Sequence, residues 1–340
     1  DYKSIDKIID KTLNREKILK YGNQENIDIN HMDRYIEEGS YTSYLKIAEG
    51  CDNKCNYCVI PSIRGKYRSR KFEKIIDEAM VLAKKGIKEI IIIAQDTSRY
   101  GIDLYGEPKL PQLLREIASI EGIEWVRLLY TYPDEFSDEL ISVIATEDKI
   151  CKYLDIPIQH ASDRILKRMG RHISKHDILS LINKLRKKIP DIVIRTSLIV
   201  GFPGENEEDF EELLYFVKEV KFERLGVFTY SREEGTPAYN MKEQINHDEK
   251  LKRQEIIMST QIDISLENNQ KFIGKTLKVL VEGYSDGQYF GRSYRDAPEV
   301  DGLVYFNSDK ILNIGEFYYV LIIKALEYDL LGECTNEYSE

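Results

Sequence analysis

Between residues 41 and 270 short apolar runs alternate with amphipathic stretches. The runs are Tyr44–Ala48, Glu89–Ala94, Trp125–Tyr130, Tyr153–Ile158, Ile192–Val200 and Leu225–Tyr230. They are rich in Ile, Val, Leu and Tyr and nearly continuous in apolar character. A strand in a parallel sheet, covered on its outer face by helices, has that texture. The alternation therefore predicts β/α units around a parallel sheet. One intervening helix is predicted over Asp209–Val220, because Phe210, Leu213, Leu214 and Val217 fall on one face at i, i+3, i+4 and i+7. Asn206 is placed to cap it, and acidic residues crowd its first turn. A long charged helix over 246–270 then leads out of the barrel.

The two ends read differently. Residues 1–40 are polar and lysine-rich with helical stretches, and no apolar set there can form a core of its own. They are expected to be the tail of an upstream domain plus a linker; the start at Asp1 rather than Met agrees with a piece of a longer protein. From 271 to 334 strand-like pieces such as Lys275–Glu282, Leu303–Phe306 and Phe317–Ala325 are separated by turns, among them Ser285-Asp286-Gly287 and Asp301-Gly302. These predict a small all-β barrel. Residues 335–340 are expected to fray as a disordered tail.

Composition narrows the function. A chain of 340 residues that is 42% hydrophobic and 32% charged has enough apolar material for one large barrel and a small module. No run of eighteen apolar residues offers a membrane span, and no basic-then-apolar leader opens the chain. The net charge of −10 opposes phosphate on average, so a protein devoted to gripping nucleic acid is disfavoured and a basic protein partner fits better. Five cysteines, three of them within eight residues, do not form a disulfide framework. They fit metal binding in a reducing cytoplasm.

The crowded three are Cys51, Cys55 and Cys58, spaced C-x3-C-x2-C directly after the first strand. Three thiolates can hold three irons of a 4Fe-4S cube, where an all-protein cluster would use four. The fourth iron is then open to a small chelator, and the amino and carboxylate groups of S-adenosylmethionine (SAM) suit it. One electron from such a cluster breaks a carbon–sulfur bond of the sulfonium and yields a 5′-deoxyadenosyl radical. The competing reading is zinc, which wants four ligands, often as two separated pairs. No fourth Cys or His lies nearby.

In β/α barrels the loops at the C-terminal ends of the strands build the active site. Here those ends are chemically loaded. They carry Gln95-Asp96-Thr97, Tyr132-Pro133-Asp134, Gln159-His160-Ala161-Ser162, Gly201-Phe202-Pro203-Gly204-Glu205 and Ser231-Arg232-Glu233-Glu234. His160 reads either as a proton carrier or SAM contact, or as a hydrogen-bonded structural imidazole. His172 and His176, with Arg168, Arg171 and Lys175, are expected to form a solvated basic face. Arg64, Lys66, Arg68, Arg70 and Lys71 form a second basic run beside the cysteines, either plain surface or a grip for SAM's carboxylate, an electron donor or a phosphate backbone.

The cysteine spacing after a first barrel strand resembles the radical SAM superfamily, and Tyr57 stands where that family has an aromatic residue. The resemblance implies an α/β fold, a partial (β/α)6 TIM-like barrel. In that family the segment after the second strand faces the methionine amino group, which implicates Gln95 and Asp96. The segment after the fourth meets the ribose, which implicates Gln159, His160 and Ser162. The turn after the fifth lies beside adenine, which implicates Gly201, Phe202, Gly204 and Glu205. Further stretches resemble the methylthiotransferases: Tyr44-Leu-Lys-Ile-Ala-Glu-Gly-Cys51, Pro61-Ser-Ile-Arg-Gly65, Gly201-Phe-Pro-Gly-Glu205 and the terminal β module, which that family calls a TRAM (OB-like) barrel.

Ala94-Gln-Asp-Thr97, Tyr132-Pro133, Ile156-Pro-Ile-Gln-His-Ala-Ser162 and Arg292-Ser-Tyr-Arg-Asp-Ala-Pro-Glu-Val-Asp-Gly302 resemble the RimO-type branch, which modifies a ribosomal protein, rather than the branch that modifies adenosine in tRNA. The implied reaction places a methylthio group on the β-carbon of an aspartate in the twelfth small-subunit ribosomal protein, with a low-potential electron donor as second partner. The charge of the module agrees: residues 272–334 carry six basic and ten acidic side chains, net −4, which suits a basic ribosomal protein better than tRNA. A non-catalytic RNA- or ribosome-binding protein with zinc at the cysteines is the reading from another class.

One departure stands out. The family implies a second 4Fe-4S cluster on three more cysteines in an N-terminal domain, and only Cys151 and Cys334 remain. The expectation is that this chain binds SAM and one cluster but does not complete methylthiolation. Mass spectrometry detecting methylthiolated product formed by this chain alone would overturn that expectation.

Overall fold

The structure, a computed structural model, describes residues 4–19, 29–30 and 34–335. Near the start, α1 (Ile5–Leu13) buries none of its residues, as expected of a stretch without a core. The six apolar runs then form one sheet whose strands follow chain order: β1 (Thr42–Lys46), β2 (Glu89–Ile93), β3 (Trp125–Leu128), β4 (Ile150–Asp155), β5 (Val193–Val200) and β6 (Arg224–Thr229). Every pairing is parallel, with Tyr44 opposite Ile91 and Thr196 opposite Leu225. All six C-terminal ends therefore open on one rim.

The connecting helices cover the outside. They are α2 (Phe72–Lys84), α3 (Leu110–Ser119), α4 (Asp138–Thr146), α5 (Asp163–Arg168), α6 (Lys175–Lys188) and α7 (Glu207–Val220), followed by the exit helix α8 (His247–Gln270). Ile75, Leu113, Val143, Leu185 and Leu213 from these helices meet Ile90, Ile92, Leu154 and Ile194 from the sheet in one core. The expected cap of α7 is a full capping box: Asp209 N–H donates to Asn206 Oδ1 and Asn206 N–H to Asp209 Oδ2, both at 2.9 Å. Asn246 caps α8, accepting from Glu249 N–H at 2.8 Å.

One strand differs from its sequence reading. The fourth runs Ile150–Asp155 rather than Tyr153–Ile158. Pro157 has no N–H for the ladder, so regular pairing stops before it. A single bridge, Gln159 to Leu198, resumes contact beyond.

The C-terminal barrel is closed, in the order β8-β9-β11-β10-β7, from β7 (Thr276–Ser285), β8 (Gln288–Ser293), β9 (Val304–Asn307), β10 (Phe317–Ala325) and β11 (Leu330–Thr335). Thr335 is thus part of a strand; 336–340, expected to fray, lie outside the described residues. The strands β8 and β11 gave weak sequence signals because each holds a glycine. A Cβ on Gly291 would sit 2.1 Å from the Leu280 carbonyl oxygen, and one on Gly332 would sit 2.4 Å from Val320 Cγ1. Both mark close approaches beside irregular register, where a barrel bends.

The small barrel docks on the far end of the sheet, away from the rim. Its segment after β8 plugs the strand N-termini. Glu89, the first residue of β2, accepts from Arg127 Nε at 2.9 Å and from Arg292 Nη2 at 2.6 Å, and all three side chains are buried. Arg292 also reaches Glu282 at 2.8 Å, and Arg127 Nη1 donates to the Tyr294 carbonyl at 2.7 Å. Arg224 pairs with Asp296 at 2.6 Å, and Tyr153 donates its hydroxyl to Asp301 at 2.6 Å. Trp125 meets Phe317 edge to face at 4.7 Å. Burial alone would raise the Glu89 carboxyl, but Arg127 and Arg292 outweigh it and hold the group below the usual carboxylate range. A carboxylate removed here takes the hydrogen-bonded anion from buried Arg127 and leaves buried Arg292 with Glu282 alone. Glu89→Gln should therefore cost about 3–5 kcal/mol in urea unfolding; a loss under about 1 kcal/mol would show that the seam does not depend on this pair.

Candidate active site

Residues 51–58 have no regular secondary structure beyond a turn, so neighbours must fix them. Gly50 comes first, with φ +82° and its hydrogen facing the Lys66 carbonyl; a Cβ would sit 2.1 Å from that oxygen. The Gly50 N–H donates to Gln95 Oε1 at 2.7 Å and Cys51 N–H to the Gly65 carbonyl at 3.2 Å. Asp52 Oδ1 accepts from Tyr67 N–H at 3.0 Å, and Asn53 Nδ2 donates to Asp96 Oδ2 at 2.9 Å. On the other side Asn56 N–H and Nδ2 donate to the Met169 and Arg168 carbonyls, each at 2.8 Å. The loop is thus stitched to the end of β2 and to the end of α5.

All three thiols are free and half-buried. Burial pushes Cys51 up to about 11 and raises Cys58 as well; in both, neighbouring motif cysteines add to the rise. The thiols thus lie close enough to influence one another. Yet among the described residues no three His, Cys, Asp or Glu side chains converge tightly enough to hold a single ion. Thiolates on one zinc lie about 3.8 Å apart, from tetrahedral Zn–S bonds of about 2.3 Å. Zinc takes four ligands, whereas three thiols match the three protein-held irons of a cube, so the donor count fits a cluster better than zinc.

The aromatic neighbours are Tyr57 and Tyr132. Tyr132 OH is 3.9 Å from Cys55 Sγ. Burial drives both phenols above their ordinary range, with Arg171 opposing it. Arg171 is the correction to the expected solvated basic face. His172 and His176 are exposed, but Arg171 is buried, its guanidinium 3.9 Å above the Tyr132 ring. The sequence signal, a cation one residue past a glycine at a helix end, does not separate that case from a surface arginine. Arg70 likewise leaves the second basic run for the interior, bonding the Lys46 carbonyl and Glu78, both at 2.7 Å, while Arg64, Lys66 and Lys71 stay exposed.

The remaining rim residues fall into two sets. Gln95 and Gln159 are half-buried, Gln159 with a left-handed φ of +74°. Asp96 is buried and accepts from Ser98 as well as Asn53; burial raises its carboxyl. His160, Ser162, Phe202 and Glu205 are also buried. His160 Nδ1 accepts the Ser162 N–H at 2.9 Å, which assigns its proton to Nε2. That nitrogen faces Glu205 Oε2 at 3.7 Å, too far for a hydrogen bond. Glu205 takes Arg253 Nη1 at 2.7 Å and Phe202 N–H at 3.1 Å. Ser162 donates to Asp209 at 2.7 Å. Gly201 and Gly204 have positive φ, and the space opposite each is filled by Lys250 and Arg168. The turn after β6, Ser231–Glu234, is exposed. A cavity of about 410 Å³ lies elsewhere, at the seam by Val193, Phe272 and Arg295, and none of the sequence-picked residues lines it.

Comparison with known proteins places this geometry. The profile of the radical SAM superfamily matches residues 45–217, and that of the TRAM domain matches 273–335. The ribosomal protein uS12 methylthiotransferase RimO of Caldanaerobacter subterraneus subsp. tengcongensis is 55% identical over 98% of this chain and 76% of its own length. The RimO proteins of a Thermoanaerobacter species and of Clostridium acetobutylicum are each 52% identical, over 98% and 100% of this chain and 76% of their own lengths. Identity this high across both units leaves one assignment: the chain belongs to the RimO family of radical SAM methylthiotransferases.

Proposed function

We propose that this chain carries the SAM-cleaving part of an enzyme that methylthiolates the β-carbon of an aspartate on ribosomal protein uS12, with a 4Fe-4S cluster on Cys51, Cys55 and Cys58. The observation that carries the reading is the stitched loop: three free thiols on one short segment, held by both flanks of the rim. When bound, the cluster and SAM supply one-electron cleavage of a sulfonium, and with it a carbon radical that takes hydrogen from an unactivated carbon.

The chain's own part is placement. Gly50, Gln95 and Asn56 fix the cysteine loop. The half-buried Tyr57, Gln95 and Gln159 are positioned to meet SAM. Behind them Asp96, His160, Ser162, Gly201, Phe202, Gly204 and Glu205 form the wall that keeps the rim in shape. A side-chain acid or base is not required for the hydrogen abstraction.

The substrate reading rests on the relatives' names and on charge. Docking buries Arg292 and Arg295 together with Asp296 and Asp301, so the module's outside keeps its net −4. That surface attracts a basic ribosomal protein and repels tRNA. The division into a barrel over 41–270 and a module over 271–334 follows from the same picture. The electron comes from a low-potential donor. Cys151 and Cys334 stand apart on β4 and β11, so these two do not build another three-thiol site. Among the described residues no helix is long and apolar enough to cross a membrane, and a ribosomal substrate puts the protein in the cytoplasm.

Anaerobic reconstitution should give a brown protein with about four irons per chain that releases methionine from SAM when given dithionite. Cys51→Ala, Cys55→Ala and Cys58→Ala should each abolish that release. A colourless protein holding zinc would refute the cluster. In low-salt binding titrations uS12 should bind and tRNA should not; the reverse order would move the substrate to RNA.

The wall has its own signature. Burial alone would raise the Glu205 carboxyl, but the Arg253 guanidinium, hydrogen-bonded to it at 2.7 Å, holds it below the usual range. A depressed native pKa stabilises the fold above the unfolded value of about 4.3 and loses that contribution as pH falls through the native value. Glu205→Gln should therefore unfold more easily than the parent at pH 7, by about 1.5–3 kcal/mol. The gap should begin to close below about pH 4.3. A gap that stays constant on acidification would mean that Glu205 is not ionised in the native wall.

A further inference from the structure

Arg171 places a guanidinium in the wall beside the cysteine loop. It is 5% exposed and lies one residue beyond the glycine that follows the last turn of α5. Its Nη2 donates to the Pro157 carbonyl at 2.8 Å, and its Nε is buried without a hydrogen-bond partner. The groups around the guanidinium that favour its charge are Tyr57, Tyr132 and Cys55. A buried cation is costly unless an anion compensates it. Of these three groups, only the thiol turns anionic when a metal binds it.

The placement is fixed from both sides. The two hydrogen bonds from Asn56 to the Arg168 and Met169 carbonyls bind the end of α5 to the residue after Cys55. Gly170 lets that approach happen: a Cβ there would sit 2.6 Å from the Lys54 carbonyl. The ring of Tyr132 floors the guanidinium at 3.9 Å, and the same residue's hydroxyl touches Cys55 Sγ.

We infer that Arg171 is a positioning residue that sets the electron affinity of the cluster through the Cys55 sulfur. The inference rests on the reading that Cys51, Cys55 and Cys58 hold that cluster. A bound cluster gains one negative charge when a one-electron donor reduces it. A fixed cation in a low-dielectric wall favours the more negative state. Arg171 thus raises the reduction potential toward the reach of the donor.

The test compares the parent with Arg171→Gln, Arg171→Met and Arg171→Lys in the full chain, all reconstituted anaerobically. Iron per chain and the midpoint of a dithionite titration followed by electron paramagnetic resonance are measured. The neutral variants should have midpoints lower by about 59 mV or more, a tenfold fall in the equilibrium constant for reduction. Arg171→Lys should lie between them and the parent. Folded neutral variants that lose iron while Arg171→Lys keeps it would also support the charge role. Unchanged midpoints, a lysine variant that behaves as the neutral ones do, or loss of iron from all three variants would reduce Arg171 to packing. A parent protein that binds no iron would instead defeat the cluster reading itself.

Discussion

The bond from the Gly50 N–H to Gln95 Oε1, 2.7 Å long, ties the cysteine loop to the sheet just before the first thiol. Eight residues without regular structure cannot fix three sulfurs on their own, because a free loop samples too many conformations. Here the order is imported. The turn after β2 supplies Gln95 and Asp96, the 65–67 segment supplies a carbonyl and an N–H, and the C-terminal end of α5 supplies two carbonyls. Each contact uses a backbone or amide group that would otherwise need water, so fixing the loop also satisfies buried polar atoms.

The two ends of the sheet divide the work. The strand C-termini open on the rim, as the chemistry of a β/α barrel requires. The N-termini are closed by the small barrel through buried ion pairs centred on Glu89, Asp296 and Asp301. Such pairs are a poor source of net stability but strict about geometry, since a misplaced partner leaves a charge uncompensated. The stretch Arg292–Gly302, a family signature in the sequence, is therefore a plug. The acidic outer face of the module belongs to the same rigid arrangement, at the far end from the thiols.

Burial changes what several rim residues mean. His160, Ser162, Phe202 and Glu205 follow strand ends, where ligand contacts are expected, yet they face one another and the helices α7 and α8. Gly201 and Gly204 leave room for Lys250 and Arg168. A wall of this kind contributes through precision, keeping the half-buried Tyr57, Gln95 and Gln159 in place.

The sequence alone determined the local and periodic features. Runs of Ile, Val and Leu fixed five of the six sheet strands to within two residues or so. The asparagine cap of α7, the three-thiol spacing and the acidic balance of the terminal module were equally legible, because each depends on neighbours within a few positions. The fourth strand slipped because Pro157 stops a ladder that composition alone would continue. What only the tertiary structure decided was which side chains share a space. Arg171 read as surface charge and Arg70 as surface or a ligand grip, since an arginine's burial depends on residues far along the chain. Glu89, one charged residue at the edge of an apolar run, gave no sign that Arg127 and Arg292 would meet it, because that meeting is made by the docking of two domains.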